Sequence, residues 1–423
     1  MNFLGKLKLV FQDKTLRNRL LFIAVALVVF RALSSIPIPG IDLEKLNTFF
    51  SGNQFFGFLN MFSGGGMSKL SIVMLGVGPY INSSIIMQLL TMIFPKFKQM
   101  YHEEGEIGRK KFSQYSRLLT VPIALAQGFG LLALLGKSGV LDNMTSIDLA
   151  TNIVVVTAGA MFMMWLGEIM TEFGIGNGTS LIIFAGIVAS LPTMLTQTYL
   201  NFNVADIPMY LAFLVVGLIV IYAVVFITEA ERPIPVTYAK RVRGAKVYGG
   251  VSTYLPLRVN QAGVIPIIFG VSILLLPQML FQFLAKVATN VTLQSVSEKI
   301  VTFLSNNWIY GVSYFLLVFL FTYFYTAVTF DPHAISENLQ KSGAFIPGVR
   351  PGQSTSEYLS KVLTRITLVG ATFLGLIAVL PMIVKGVTGI SSIALGGTAL
   401  LIVVSVVIDL IKKVEAQISM REY

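Results

Sequence analysis

The chain has 423 residues, 55% apolar and only 12% charged, about half the ~25% charge of an ordinary soluble domain. About 233 apolar positions, at ~20 per membrane-crossing helix, allow at most about eleven spans, which excludes a cytosolic globule and disfavours a barrel of weakly alternating strands. The net charge of +11 comes from 31 Lys and Arg against 20 Asp and Glu, and cysteine is absent, so disulfides, thiolate metal sites and a Cys nucleophile are all excluded.

Apolar runs between charged or Pro/Gly-rich breaks predict ten spans, about 20–36, 71–94, 116–136, 150–171, 180–200, 208–228, 260–284, 308–330, 366–384 and 390–411. Lys6, Lys8, Lys14, Arg17 and Arg19 precede the first run as they would in a signal peptide. No small-residue cleavage site follows, only Arg31 and then Ile36-Pro37-Ile38-Pro39-Gly40, so a retained helix is expected. Between the first and second spans, Phe55 to Ser71 includes Leu59-Asn60-Met61-Phe62-Ser63-Gly64-Gly65-Gly66. This Gly-rich amphiphile is too short to cross and reads as a re-entrant segment or a loop.

The second span holds Gly76, Gly78 and Pro79, the seventh Gly263, Pro266 and Pro277, the tenth Gly396 and Gly397. Broken or kinked helices are expected there, tolerated in lipid where neighbouring protein or a water-filled cavity satisfies the freed backbone. A pore or transport path is one inference, and simple helix packing is the other. Acidic Glu168, Glu172 and Asp409 lie toward the cytoplasmic span ends, while the interiors carry neutral Asn82, Gln88, Gln127, Asn260 and Gln261. An ion-coupled transporter calls for an ionisable group near the midplane, so this pattern argues against one.

Of the loops, one alternate set carries only Lys45, Lys137, Lys286, Lys299 and Lys385. Apart from Arg31 and Lys69, every other Lys and Arg falls on the opposite set or at the termini. Both termini are therefore expected in the cytoplasm. The segment 229–259 alternates Ile234, Val236 and Tyr238, turns through Lys240-Arg241-Val242-Arg243-Gly244 and Lys246, and returns through Tyr248, Val251 and Tyr254, which predicts a long hairpin with a basic tip. The segment 331–365 predicts a helix from Pro332 to Gln340, a Gly/Pro-rich tip over 342–352 that carries Arg350, and a helix capped near Ser354 to Ser356. Attraction to anionic lipid needs no ordered hairpin. Two structured basic loops suggest docking of a cytoplasmic partner.

Enzyme readings are weak. Gly136-Lys137-Ser138 resembles the end of a phosphate-binding loop, but Leu131 occupies the required glycine position. His102 and His333 stand far apart without an H-E-x-x-H pair. No cofactor or metal is expected, nor is nucleic-acid sequence recognition.

Six stretches together resemble the SecY family, the central subunits of bacterial protein-translocation channels. They are Gly76 to Leu90, Glu103 to Tyr115, Gly174-Ile175-Gly176-Asn177-Gly178-Thr179-Ser180 running on to Ile187, Asn260-Gln261-Ala262-Gly263-Val264-Ile265-Pro266, Lys341 to Gly352, and Gly396-Gly397-Thr398-Ala399-Leu400-Leu401-Ile402. They occur in the family's order over about residues 15–412. The resemblance implies an all-α polytopic membrane protein with ten transmembrane helices in two inverted five-helix halves around a central hourglass pore, with a re-entrant plug. The halves would be 20–200, with the plug at about 55–70, and 201–411, with cytoplasmic loops 229–259 and 331–365. A cytoplasmic amphipathic N-terminus (1–19) and a short cytoplasmic tail (412–423) would flank them.

By motif, the pore ring would be Val77, Ile81, Ile183, Ile187, Ile268 and Ile402, an aliphatic neck able to exclude ions by dewetting. The plug would comprise Phe58, Leu59, Asn60, Met61, Phe62, Ser63, Gly64, Gly65 and Gly66. Asn82, Gln127 and Asn260 would be the polar residues of a lateral gate, and Lys240, Arg241, Arg243, Lys246 and Arg350 would dock a motor or ribosome. The implied partners are SecE, SecG, the SecA ATPase, the ribosome, signal sequences and anionic lipid, at the bacterial plasma membrane. Two features depart from the family pattern: Val77 and Gly78 replace bulkier residues of many relatives, and the tail after the tenth span is short; some bacteria also hold accessory copies with divergent docking loops. The intact 342–352 tip favours the housekeeping version. The competing reading is a multispan secondary transporter of a small solute.

Overall fold

A computed structural model describes residues 12–39, 60, 63–137, 140–141, 145–200, 207–238, 241–243, 246–248, 252–287, 290–304, 306–388 and 396–422. In chain order its elements are α1 (Lys14–Leu33), a 3-10 turn Met67–Lys69, α2 (Gly78–Ile93), α3 (Pro95–His102), α4 (Gly105–Lys137), α5 (Ser146–Phe173), α6 (Gly178–Leu200), α7 (Ile207–Glu229), β1 (Glu231–Tyr238), β2 (Arg241–Arg243), β3 (Lys246–Tyr248), β4 (Ser252–Arg258), α8 (Ile265–Val287), α9 (Val291–Leu304), α10 (Asn307–Thr329), α11 (Pro332–Lys341), β5 (Ala344–Phe345), α12 (Gln353–Thr388) and α13 (Gly396–Glu422).

A helix stands over each expected span: α1, α2, α4, α5, α6, α7, α8, α10, α12 and α13. Among the described residues, five stretches are long and apolar enough to cross a membrane, namely Gly105–Gly136, Ser146–Phe173, Tyr210–Glu229, Trp308–Lys341 and Gln353–Leu380. The protein is an all-α polytopic membrane protein carrying small strands in one loop region.

The expected breaks sit elsewhere than the sequence pattern suggests. Pro79 lies in the first turn of α2, where a missing N–H costs nothing because that donor has no intrahelical partner. Gly76 (φ 53°) and Gly263 (φ 63°) take left-handed turns just before α2 and α8, and Gly396-Gly397 opens α13. These residues start helices rather than interrupt them. Pro277 does stand inside α8, as Pro122 and Pro192 stand inside α4 and α6, and each helix continues past its proline. Likewise α4 begins at Gly105 rather than near 116, and α12 runs unbroken from Gln353, joining the expected loop helix to the ninth span.

The chain forms two compact units: Met1–Asp206 with Val271–Ile309 and Val406–Tyr423, and Ile207–Gly270 with Tyr310–Ser405. In the first, α2 packs on α4, α4 on α5, α5 on α6, and α1 on α5. The Asp13 carboxylate caps α1 by accepting from the Thr15 and Leu16 amides, and a reciprocal Thr145/Asp148 box caps α5. In the second unit β1 lies between β4 and β5, and α11 packs on α12.

Candidate functional site

The first unit brings the end of the expected plug against the helix that carries two expected ring residues. Of the plug residues, Asn60, Ser63, Gly64, Gly65 and Gly66 are described, while Phe58, Leu59, Met61 and Phe62 lie outside the described residues. A local network folds this stretch. The Gly65 amide donates to the Asn60 carbonyl (2.9 Å) and the Ser71 amide to the Gly66 carbonyl (2.8 Å). The Met67 amide donates to Ser63 Oγ (2.9 Å) and the Ser68 amide to Asn60 Oδ1 (2.9 Å). Gly64 and Gly65 take φ of 64° and 84°, conformations that a side chain would strain.

Backbone-to-backbone approach then seats the segment. A Cβ on Gly186 of α6 would overlap the Gly64 main chain, and one on Gly64 would overlap the Phe30 ring of α1. A Cβ on Gly159 of α5 would overlap the Ile72 carbonyl. On the other side, Ile38 donates to the Leu70 carbonyl (2.9 Å) and Ile72 to the Ile36 carbonyl (3.0 Å). The stretch from Gly64 to Ile72 is thus held by α1, α5, α6 and the Ile36–Ile38 segment, through the Pro37–Ser71 bridge.

Gly186 lies between Ile183 and Ile187, which share one face of α6 by their four-residue spacing and are both buried. Val77 is fully buried and stands at the N-cap of α2, its carbonyl accepting from the Ile81 amide at 3.0 Å. Ile81 is half-buried one turn on. A Cβ on neighbouring Gly78 would meet nothing within 4 Å, so the space a bulkier residue would take beside Val77 is open. In the second unit, Ile268 and Ile402 are buried.

The three polar residues expected at a gate differ in surroundings. Asn82 on α2 and Asn260 before α8 are buried, and the Oδ1 of each has no hydrogen-bond partner among the described residues. Gln127 on α4 is half-buried. Asn260 is positioned by Gly370 of α12, where a Cβ would press on the Val259 carbonyl at 2.5 Å. Next to Asn82, Ser83 Oγ donates to the Ser116 carbonyl and ties α2 to α4. Glu168 is engaged by Arg117, whose Nε reaches its Oε1 at 2.8 Å between α4 and α5. Among the described residues, no three His, Asp or Glu side chains gather as a metal site would require.

In the second unit the two basic loops are one folded body. β1 pairs antiparallel with β4 (Ile234 opposite Leu255) and, past its prolines, with β5 (Thr237 opposite Phe345, Tyr238 opposite Ala344). Ile234, Val236 and Leu257 from the hairpin share a core with Ala344, Ile346, Leu359 and Ile366 from the 331–365 loop and α12. Pro233 and Pro235 precede the short stretch that pairs with β5, so their missing donors interrupt no ladder on that edge.

Beyond this core, β2 and β3 pair as a tip, with Arg243 opposite Lys246. Lys240 lies outside the described residues. The second tip is tightly tied: Asp331 caps α11, Ser336 Oγ donates to the Gly352 carbonyl (2.6 Å), and Thr355 Oγ1 donates to the Arg350 carbonyl (2.8 Å). Gly348 and Gly352 take φ of 83° and 94°. Arg350 therefore presents an exposed side chain from a fixed main chain.

Sequence reasoning missed Gly159, Gly186, the Ser83–Ser116 tie and the joining of the two loops. Small residues in apolar helices are a signal for close approach, yet many glycines here carry it.

A SecY family profile matches residues 71–411. The chain belongs to the SecY family. It is 42% identical to the protein translocase subunit SecY of Thermotoga maritima, over 98% of this chain and 95% of that one, and 42% identical to that of Streptomyces galbus, over 98% and 97%. Among solved structures, a protein-conducting channel shares the SecY fold seen here with a TM-score of 0.64, at 19% identity over 93% of this chain and 91% of its own. Sec61 from the canine ribosome-channel complex of the endoplasmic reticulum gives 0.59 at 18% identity, over the same shares. SecY membership overturns the alternative of a small-solute transporter.

Proposed function

We propose that this chain is the channel subunit through which unfolded preproteins cross the bacterial plasma membrane and from which apolar segments leave sideways into lipid. Its SecY family membership makes it a protein-translocation channel subunit. The finer assignments rest on matching motifs. Val77, Ile81, Ile183, Ile187, Ile268 and Ile402 form the aliphatic constriction, the stretch ending at Gly66 is the plug that closes it, and Asn82, Gln127 and Asn260 line the lateral gate. The two halves, 20–200 and 201–411, are the repeats around the pore, and both termini are cytoplasmic.

The observation that most supports this reading is the close contact of Gly64 with Gly186, between Ile183 and Ile187. It brings the main chain of a glycine-rich segment directly against the helix bearing two constriction residues. Such a contact has no side-chain hydrogen bond to break, which suits a stopper that must leave and return. An aliphatic neck offers a passing polypeptide no fixed partner, so selection falls on the apolarity of the signal helix. Energy comes from outside the chain: the joined loop body, with Arg241, Arg243, Lys246 and Arg350, docks the SecA motor or the ribosome, while SecE, SecG and anionic lipid complete the assembly.

The test uses the absence of cysteine. In a channel carrying Ile81→Cys and a stalled export substrate with one cysteine, a disulfide should form only when the substrate cysteine lies at mid-membrane. Crosslinking independent of substrate position would reject the assignment of Ile81 to the constriction.

A further inference from the structure

We propose that α9 is an interfacial helix that lies in the membrane surface, its apolar face buried among lipid acyl chains, on the side opposite the basic loops. The proposal needs the chain to span a membrane but does not depend on what it transports. In α9, Leu293, Val296, Ile300, Phe303 and Leu304 recur at three- and four-residue spacing and form one stripe, while Thr292, Ser295, Glu298, Lys299 and Thr302 fall on the other face.

That stripe is only partly covered, Ile300 and Leu304 being half-buried. Leu293, Val296 and Phe303 are exposed, Phe303 at 60%. Ser297 is the buried residue of the helix, and its Oγ is satisfied by the Leu293 carbonyl at 2.7 Å. Ser297 follows Leu293 by four residues, so the protein covers the edge of the stripe at Ser297, Ile300 and Leu304 and leaves Leu293, Val296 and Phe303 open.

Continuity with the lipid-facing surface identifies what covers those three. Asn306 Oδ1 accepts from the Trp308 amide at 3.0 Å and starts α10, whose exposed residues Trp308, Val312, Leu316 and Leu320 make a stripe at four-residue spacing along a membrane-crossing helix. Trp308 is 82% exposed at the helix end, where tryptophan anchors to the headgroup layer. Trp308 stands four positions after Leu304, so the end of α9 lies within about 14 Å of that layer. Chain topology places α9 between the ends of α8 and α10 that are remote from β4 and α11.

Charge separates this helix from the basic loops. Its charged residues are Glu298 and Lys299, which balance, so apolar burial and not attraction to anionic headgroups drives insertion. The occupant is the acyl region of a bilayer of any headgroup charge.

Site-directed spin labelling of the full chain tests this, since there is no native thiol to remove. Single variants L293C, V296C, F303C, S295C, E298C and T302C are labelled with a nitroxide and reconstituted in phosphatidylcholine vesicles. Collision rates with oxygen and with a water-soluble nickel chelate are then compared. Labels at 293, 296 and 303 should favour oxygen over the chelate at least several-fold, and labels at 295, 298 and 302 the reverse. Equal chelate access at all six positions would overturn the proposal, as would shielding of 293, 296 and 303 from both reagents, which would mean a covering protein. The pattern should persist at high salt, and an appearance only in vesicles containing phosphatidylglycerol would also overturn it.

Discussion

At Gly186 the helix gives up a side chain so that another segment's backbone can lie against it, and the same absence recurs at Gly64 and Gly159. Gly186→Val would set a branched side chain on the Gly64 main chain, and the 63–77 segment must then lift off α6 between Ile183 and Ile187. A displacement of about 1.4 kcal/mol changes the closed fraction tenfold. We expect G186V to raise resting ion conductance in planar bilayers by about that factor, and a silent G186V channel would remove this contact from the seal. Asn260 poses the opposite case, a buried carbonyl oxygen without a partner among the described residues. Leaving such a group unpaired costs about 1–3 kcal/mol, a cost that an arriving polar backbone or water relieves. Asn260→Leu removes the penalty from the closed state, so export of the least apolar signal sequences should fall severalfold while strongly apolar ones pass normally. An unchanged graded series would make Asn260 a packing residue. The proposed ring positions rest on motif alone, since one isoleucine in an apolar helix looks like any other. The glycine contacts were not legible, because the partner of each lies far along the sequence.

The elements themselves were largely written in the apolar runs, down to the helix at Pro332 and the hairpin about Ile234 and Val236. What the pattern hid was how they join. β5 is two residues long, too short to announce a strand, yet it places Ala344 and Ile346 in the hairpin's core. Two loops separated in sequence thereby become one stiff mount for Arg350. The mount makes a distinction that charge alone does not. Arg350→Glu should abolish motor-driven export into inverted vesicles while membrane insertion of the channel stays normal. Thr355→Ala removes the bond to the Arg350 carbonyl and leaves the guanidinium intact, at a cost of about 1 kcal/mol, so export should drop several-fold and respond more weakly to added motor. Equal export by T355A and the parent would mean that Arg350 acts by charge without needing a fixed main chain.

For the whole molecule, the charge excess and the helix order speak to the same property. Lys and Arg crowd one set of alternate loops, and if each of the ten expected spans crosses once, chain order assigns β1–β4 and α11 to that set and α9 to the other. The charge distribution suggests a side for each loop but does not mark α9, whose polar face masks its short apolar stripe in any running average. One crossing, α8, separates Tyr254 on β4 from Thr302 on α9, and both residues are exposed. Because the parent has no cysteine, a membrane-impermeant maleimide reports each position without background. In intact spheroplasts T302C should label and Y254C should not, and in inverted vesicles the two should exchange. Labelling of both from one side would mean that α8 does not cross, and a reversed pattern would invert the orientation that the basic loops require, removing them from reach of any cytoplasmic motor or ribosome.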